Sequence, residues 1–190
     1  MSDESRVVTL LDAASLRPMR TFGAAQPNDD VRQNLMTPSS VSFSPGGDAI
    51  AIARWDQPTA IWETATGTLL RTLPEGTLFV AYAPSGGLLA TGSGVVSKRS
   101  GPLSLMLVDA ATGAKRHGLD ADPDAVFSPD GRWVVALRDG ELRAFETETG
   151  RSITKTPPHG ATTLTMAPDG ARVVTGSADG SVRTFRVEAS

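Results

Sequence analysis

Apolar side chains alternate in four short stretches of the chain: Val41 and Phe43, Val80 and Tyr82, Ala125 and Phe127, Leu164 and Met166. A period of two predicts a β-strand with one buried face. Each stretch runs into a Pro-Gly turn: Ser44 to Gly47, Ala83 to Gly86, Ser128 to Gly131, and Ala167 to Gly170. Proline presets φ at the first central position, a small or acidic residue follows, and glycine closes the turn. Beyond each turn, the next five positions are mostly apolar or small on both faces. They are Ala49 to Ala53, Leu88 to Gly92, Trp133 to Leu137, and Arg172 to Gly176. A strand buried on both sides belongs between two sheets.

A second landmark repeats out of phase with the first. Trp62 to Gly67, Val108 to Gly113 and Phe145 to Gly150 each run from an apolar residue and an acid into a short loop ending on glycine. That composition suits a hairpin with a left-handed position. Leu11 to Leu16 is a degenerate copy without the glycine. The strands that follow, Thr68 to Leu73 and Ala114 to Leu119, are more polar and carry Arg71, Lys115 and Arg116, as expected of a sheet edge. Pro45, Pro84, Pro129 and Pro168 are spaced by 39, 45 and 39 residues. That period matches one four-stranded propeller blade. The predicted fold is therefore all-β: about four four-stranded antiparallel sheets, with strands a, b, c and d running from centre to rim.

These residues resemble the WD40-repeat β-propeller family. The nearest likeness runs from Ala167-Pro-Asp-Gly through Val173-Val-Thr-Gly-Ser-Ala-Asp-Gly to Phe185, which is similar to that family's stretch between strands a and c. His159-Gly160 resembles its Gly-His element in reversed order, and Trp62-Glu63 its Trp-Asp pair. Asp179 stands where the family places the acid of the b–c turn, and Phe185 where it places tryptophan. The resemblance implies a structural network at His159, Ser177 and Asp179. Histidine is absent before the first three full units, so the family's His–Ser/Thr–Asp–Trp network is incomplete here. Residues 1–22 read as strands c and d of a partial blade, and 23–39 as a loop insertion. Residues 40–77, 78–119 and 120–159 read as three blades, the second with a loop insertion at 94–102. Residues 160–190 read as strands a to c of a last blade. The tally of about 17 strands points to an incomplete or half propeller. A larger propeller of which this is a part, a pair of copies forming one ring, and a four-bladed ring clasped by Leu16 to Phe22 all remain open.

Composition removes several chemistries. The 190 residues carry a net charge of −3 and no cysteine. Mild acidity gives no electrostatic reason to expect nucleic acid. Without cysteine there is no disulfide framework, thiolate site or thiol nucleophile. No apolar run reaches the ~20 residues of a membrane helix, and the N-terminus lacks a signal-peptide pattern. The expectation is a cytoplasmic protein without cofactor or metal. His117, among Lys115 and Arg116, reads as a solvated rim residue, and His159 as a structural hydrogen-bonding group. Asp12, Glu63, Asp109, Asp139, Glu146 and Asp179 recur with the repeat and read as turn acids, not as a general acid and base. Trp133 reads as core.

Recognition is expected on the propeller end that carries the b–c and d–a loops, because loops on a rigid scaffold carry binding. Arg54, Trp55, Arg99 and Arg138 are the candidate partner-binding residues, since arginine and aromatic side chains dominate interface energies. The expected partner is a protein or peptide, with self-association or a complementary propeller half as further possibilities. The resemblance implies a non-catalytic protein–protein interaction scaffold. Two alternatives stand beside it: a regulatory or sensor portion of a larger kinase or NTPase signalling chain, and a propeller that binds a small ligand.

Overall fold

A computed structural model of the chain describes residues 7–23, 38–54, 57–93 and 104–187. Among the described residues there are seventeen strands and no helix. A hairpin of β1 (Val8–Leu11) and β2 (Pro18–Phe22) comes first. The first full sheet holds β3 (Pro38–Phe43), β4 (Ala49–Arg54), β5 (Gln57–Glu63) and β6 (Leu69–Gly76) in that order. The second holds β7 (Phe79–Tyr82), β8 (Leu88–Ser93), β9 (Ser104–Asp109) and β10 (Lys115–Leu119). The third holds β11 (Ala125–Phe127), β12 (Trp133–Arg138), β13 (Glu141–Glu146) and β14 (Ser152–Lys155). The last comprises β15 (Ala161–Met166), β16 (Arg172–Ser177) and β17 (Val182–Arg186). All neighbours are antiparallel meanders, so every connection is local.

The sheets stack face on face, and the alternation of side chains explains how. In β4, Ala49, Ala51 and Ala53 face the second sheet, where they meet Val80, Leu89, Met106 and Val108. Ile50 and Ile52, pointing the opposite way, pack with Phe22 of the hairpin. Ala90, Leu105 and Leu107 of the second sheet meet Val134, Ala136 and Phe145 of the third. Val135, Leu137 and Leu142 of the third meet Leu164 and Val173 of the last. The second strands of the first three sheets are thus sandwiched, as their apolar runs predict; β16 is covered on one face only, which corrects the expectation for Arg172 to Gly176, because no sheet follows it among the described residues. Small residues on one face let the next sheet approach closely, and the large apolar residues of that sheet fill the space.

The two ends of the stack differ. Val41 and Phe43 of β3 are 50% and 47% exposed, whereas the register-equivalent Val80 is 2% exposed. The β1–β2 hairpin covers Ile50, Ile52 and Trp62 but leaves the innermost strand open. At the other end, the outward face of the last sheet is mostly polar, with Thr163, Thr165, Arg172, Thr184 and Arg186 exposed beside the apolar Val182. The sheets form an open arc of blades and not a closed barrel. Strand β2 pairs with β1 alone. It does not complete the last sheet, so the clasped four-bladed ring is not the arrangement observed; Phe22 instead inserts beside Ile50 and Ile52. Strand β3 also begins at Pro38, two residues inside the expected insertion, where Pro38 pairs with Arg54.

The Pro-Gly turns are themselves stacked. The amide of Gly47 donates to Ser44 O at 2.9 Å, and the same bond recurs from Gly86 to Ala83, Gly131 to Ser128 and Gly170 to Ala167. These glycines adopt φ of 71 to 74°. A Cβ on Gly170 would lie 2.9 Å from the Pro129 ring of the preceding turn, whereas one on Gly47 would meet nothing within 4 Å. A left-handed φ alone costs an ordinary residue about 1–2 kcal/mol. Gly47→Ala is expected to lose about that much and Gly170→Ala clearly more, read from urea unfolding midpoints. Equal losses would show that the turns do not support one another.

Candidate interaction face

The b–c turns and d–a connections lie at one end of every sheet, and the a–b and c–d turns at the other. The acids grouped above as one repeating set fall at both ends, which corrects their equivalence. Asp12, Glu63, Asp109 and Glu146 cap c–d turns by accepting bonds within their own loops: Asp12 from Ser15, Glu63 from Thr66, Asp109 from Thr112, Glu146 from Thr149. The Arg116 guanidinium, with Thr112, holds the Asp109 carboxyl far below the usual carboxylate range. Asp139 and Asp179 belong to b–c turns at the opposite end.

The third sheet shows how the interaction end is built. After Arg138, the chain reverses through Asp139 and Gly140, both left-handed at φ 52° and 75°. That is the two-residue turn whose twist matches flanking strands. Arg138 is gripped on three sides, with Asp122 at 3.4 Å, Asp139 at 3.4 Å and Asp120 at 3.6 Å. Arg143 on β13 donates to the Asp120 carbonyl at 3.0 Å and to its carboxylate, and pairs with Glu141 at 3.0 Å. Burial works to lower the Arg143 pKa, but hydrogen bonds to Glu141 and Asp120 outweigh it and raise it. Burial also pushes the neighbouring Asp124 carboxyl up, partly offset by the Ala125 amide. Two arginines therefore organise four carboxylates, those of Asp120, Asp122, Asp139 and Glu141. What solvent meets here is acid, since the side chains of Asp120 and Asp139 are 72% and 82% exposed. The sequence reading singled out Arg138 and passed over Arg143 and the run Asp120-Ala-Asp-Pro-Asp124, whose three acids in one d–a loop were the available signal.

Arg54 ends β4 at the position that Arg138 occupies in β12. It is half-buried, burial lowers its pKa, and its guanidinium occupies the space that a side chain on Gly23 would need. Trp55 and Arg99 lie outside the described residues, so the structure joins neither to this face. Arg54 and Arg138 stand two sheets apart and make separate local contacts.

His159 joins the third and last sheets. Its amide donates to Gly140 O at 3.1 Å, placing its loop against the third b–c turn. The ring lies 5.0 Å from Phe185, tilted by 49°. Nδ1 faces Pro157 O at 3.1 Å and Nε2 faces Thr175 Oγ1 at 3.1 Å. A carbonyl can only accept, so in the neutral ring Nδ1 carries the proton and the Thr175 hydroxyl donates to Nε2. Ser177 Oγ donates to the His159 carbonyl at 3.3 Å, and Asp179 accepts the Ser181 amide at 2.8 Å within its own turn. The hydroxyl partner of the ring is thus Thr175, fully buried in β16, which sequence reasoning did not single out. Its signal was the polar position inside an otherwise apolar strand.

His117 departs from the solvated role expected of it. Its Nε2 lies 2.7 Å from Glu148 O in the third sheet's c–d turn, and a side chain on Gly150 would collide with its ring. Trp133 is only partly buried, with the Arg132 guanidinium 5.4 Å above its ring. Thr175→Val removes one donor while keeping side-chain shape and leaves Nε2 without its partner. A loss of about 1–2 kcal/mol is expected in urea unfolding, with a smaller loss for Ser177→Ala. An unchanged midpoint for Thr175→Val would dismiss the His159–Thr175 bond as a brace.

The comparisons with known proteins fit this geometry. The family model "WD domain, G-beta repeat" matches residues 150–186, the span from the last c–d turn of the third sheet through β17. The small ribosomal subunit protein RACK1y of Oryza sativa subsp. japonica is 28% identical over 167 residues, covering 78% of this chain and 47% of that protein. The chain therefore spans about half the length of this curated relative. The β-propeller domain of Cps50 (Swd1) from Myceliophteria thermophila superposes with a TM-score of 0.75 at 17% identity, over 96% of this chain and 59% of that one. The computationally designed Ika4 protein superposes with a TM-score of 0.62 at 18% identity, over 80% of this chain and 92% of that one. The stack of four-stranded meanders and its Pro-Gly period make this chain an array of β-propeller blades, and residues 150–186 carry a repeat of the WD40 type.

Proposed function

We propose that the chain is a non-catalytic scaffold that binds a protein or peptide through the end bearing the b–c and d–a loops. The observation that carries this reading is the Arg138 and Arg143 network. It holds exposed carboxylates in set positions on a rigid sheet end, which reduces the ordering cost a partner must meet. The likeness to RACK1y supports protein partners, and the mild net acidity argues against nucleic acid. Among the described residues no helix is long and apolar enough to cross a membrane, and the reading places the protein in the cytoplasm. It also has the half-exposed face of β3 covered by a further blade, from a second copy or a complementary half.

Trp55 and Arg99 complete the candidate face with Arg54 and Arg138. Removing two interface anchors at about 2 kcal/mol each weakens a complex by several hundredfold. Trp55→Ala with Arg99→Ala is expected to abolish capture of the partner recovered by the parent protein in cross-linking pull-downs, while the melting temperature stays put. Undiminished capture by the double variant would remove this face from the account.

A further inference from the structure

The third and last sheets do not close on each other as the earlier pairs do. Between them runs a cleft of about 300 Å³, where the comparable gap between the first and second sheets is about 70 Å³. Two causes are visible: the last sheet has three strands where the three before it have four, and the residues that fill the earlier junctions are replaced. Ile61 and Leu73 fill the space at the first junction, and Leu107 and Leu119 at the second. The equivalent residues at the third are Ala144 and Thr156, too small to fill it. The floor is apolar, formed by Trp133, Leu142, Ala144, Phe185 and Val187, with Ile153 at its margin.

The rim has a charge to match. Arg132 and Arg151 line the cleft against one acid, Glu146, whereas the Arg186 side chain, paired across the strands with Arg172, turns to the outward face. Both rim arginines are exposed, and among the described residues neither forms an ion pair. This differs from Arg138 and Arg143, which carboxylates hold on several sides. The cleft also borders β17, whose outer edge pairs with no other strand among the described residues. An unpaired edge presents a row of backbone donors and acceptors suited to an extended chain.

We propose that this cleft is a second binding site, which takes an extended segment of a partner protein in which apolar residues alternate with acids. The apolar side chains enter the space left by Ala144 and Thr156, the acids meet Arg132 and Arg151, and the segment's backbone lies along β17. The partner's basic segments are excluded by the same two charges. The strand β2 of this chain is excluded likewise, since Arg17 and Arg20 flank and occupy it. The inference rests on the scaffold reading for the nature of the partner, but it uses a different surface from the loop end.

The test is fluorescence anisotropy with a labelled heptapeptide alternating glutamate with valine and leucine, beside its lysine counterpart. The glutamate peptide is expected to bind at least about tenfold tighter, with affinity falling as salt rises. Ala144→Leu, which restores the side chain standing at the second junction, should abolish binding and leave the fold intact. Arg151→Glu, at an exposed position, should reverse the charge preference even if Ala144→Leu proves unstable. Equal binding of the two peptides, or binding undisturbed in a folded Ala144→Leu protein, would overturn the proposal. So would capture of decanoate in place of the peptide, which would make the cleft a site for small amphiphilic anions. The double variant of Trp55 and Arg99 should bind the peptide as the parent does. Loss there would return the site to the loop end, whereas failure of the loop-end test leaves this binding unaffected.

Discussion

Burial of the second strand of each of the first three sheets on both of its faces is the constraint from which the other features follow. Ala51, Ala53, Leu89, Ala90, Val134 and Ala136 have essentially no exposed surface, and the covering atoms come from the sheets before and after. A single four-stranded sheet of this kind would leave one or both apolar faces in water, so each blade is stable only with neighbours. Small side chains toward one neighbour and larger ones toward the other set the spacing. The Pro-Gly turns then stack as a consequence of that spacing, with each glycine against the proline of the preceding turn.

The same constraint decided what could be read from the chain beforehand. Strand order, turn positions and the sandwiched strands were legible because they depend on local alternation and on proline and glycine, which act within a few residues. What joins one blade to the next was not. His117 braces a turn 31 residues away, and Thr175 reaches His159 across 16 residues; neither pairing leaves a local mark. The grip of Asp120 and Asp122 on Arg138 likewise depends on a d–a loop folding back over a later turn. The split of the turn acids between two ends was hidden because c–d and b–c turns use the same residue types.

Departures from regularity carry the functional content. Where Leu107 and Leu119 give way to Ala144 and Thr156, packing gives way to a cleft; where Val41 and Phe43 lack the cover given to Val80, an apolar face is exposed. At the loop end, two arginines spend their hydrogen bonds on fixing acids and leave carboxylates outward. A regular repeat would have none of these. The scaffold repeats from blade to blade, and these irregular positions set one blade of this chain apart from the next.

Native-state hydrogen exchange tests the central claim most directly. If each blade is held by the sheets on either side, the slowest amides lie in β8 and β12, which have sheets of three or four strands on both sides. The amides of the β1–β2 hairpin and of β17 should exchange markedly faster. Uniform protection across all sheets, or slowest exchange in the terminal strands, would contradict a structure maintained by stacking between neighbours.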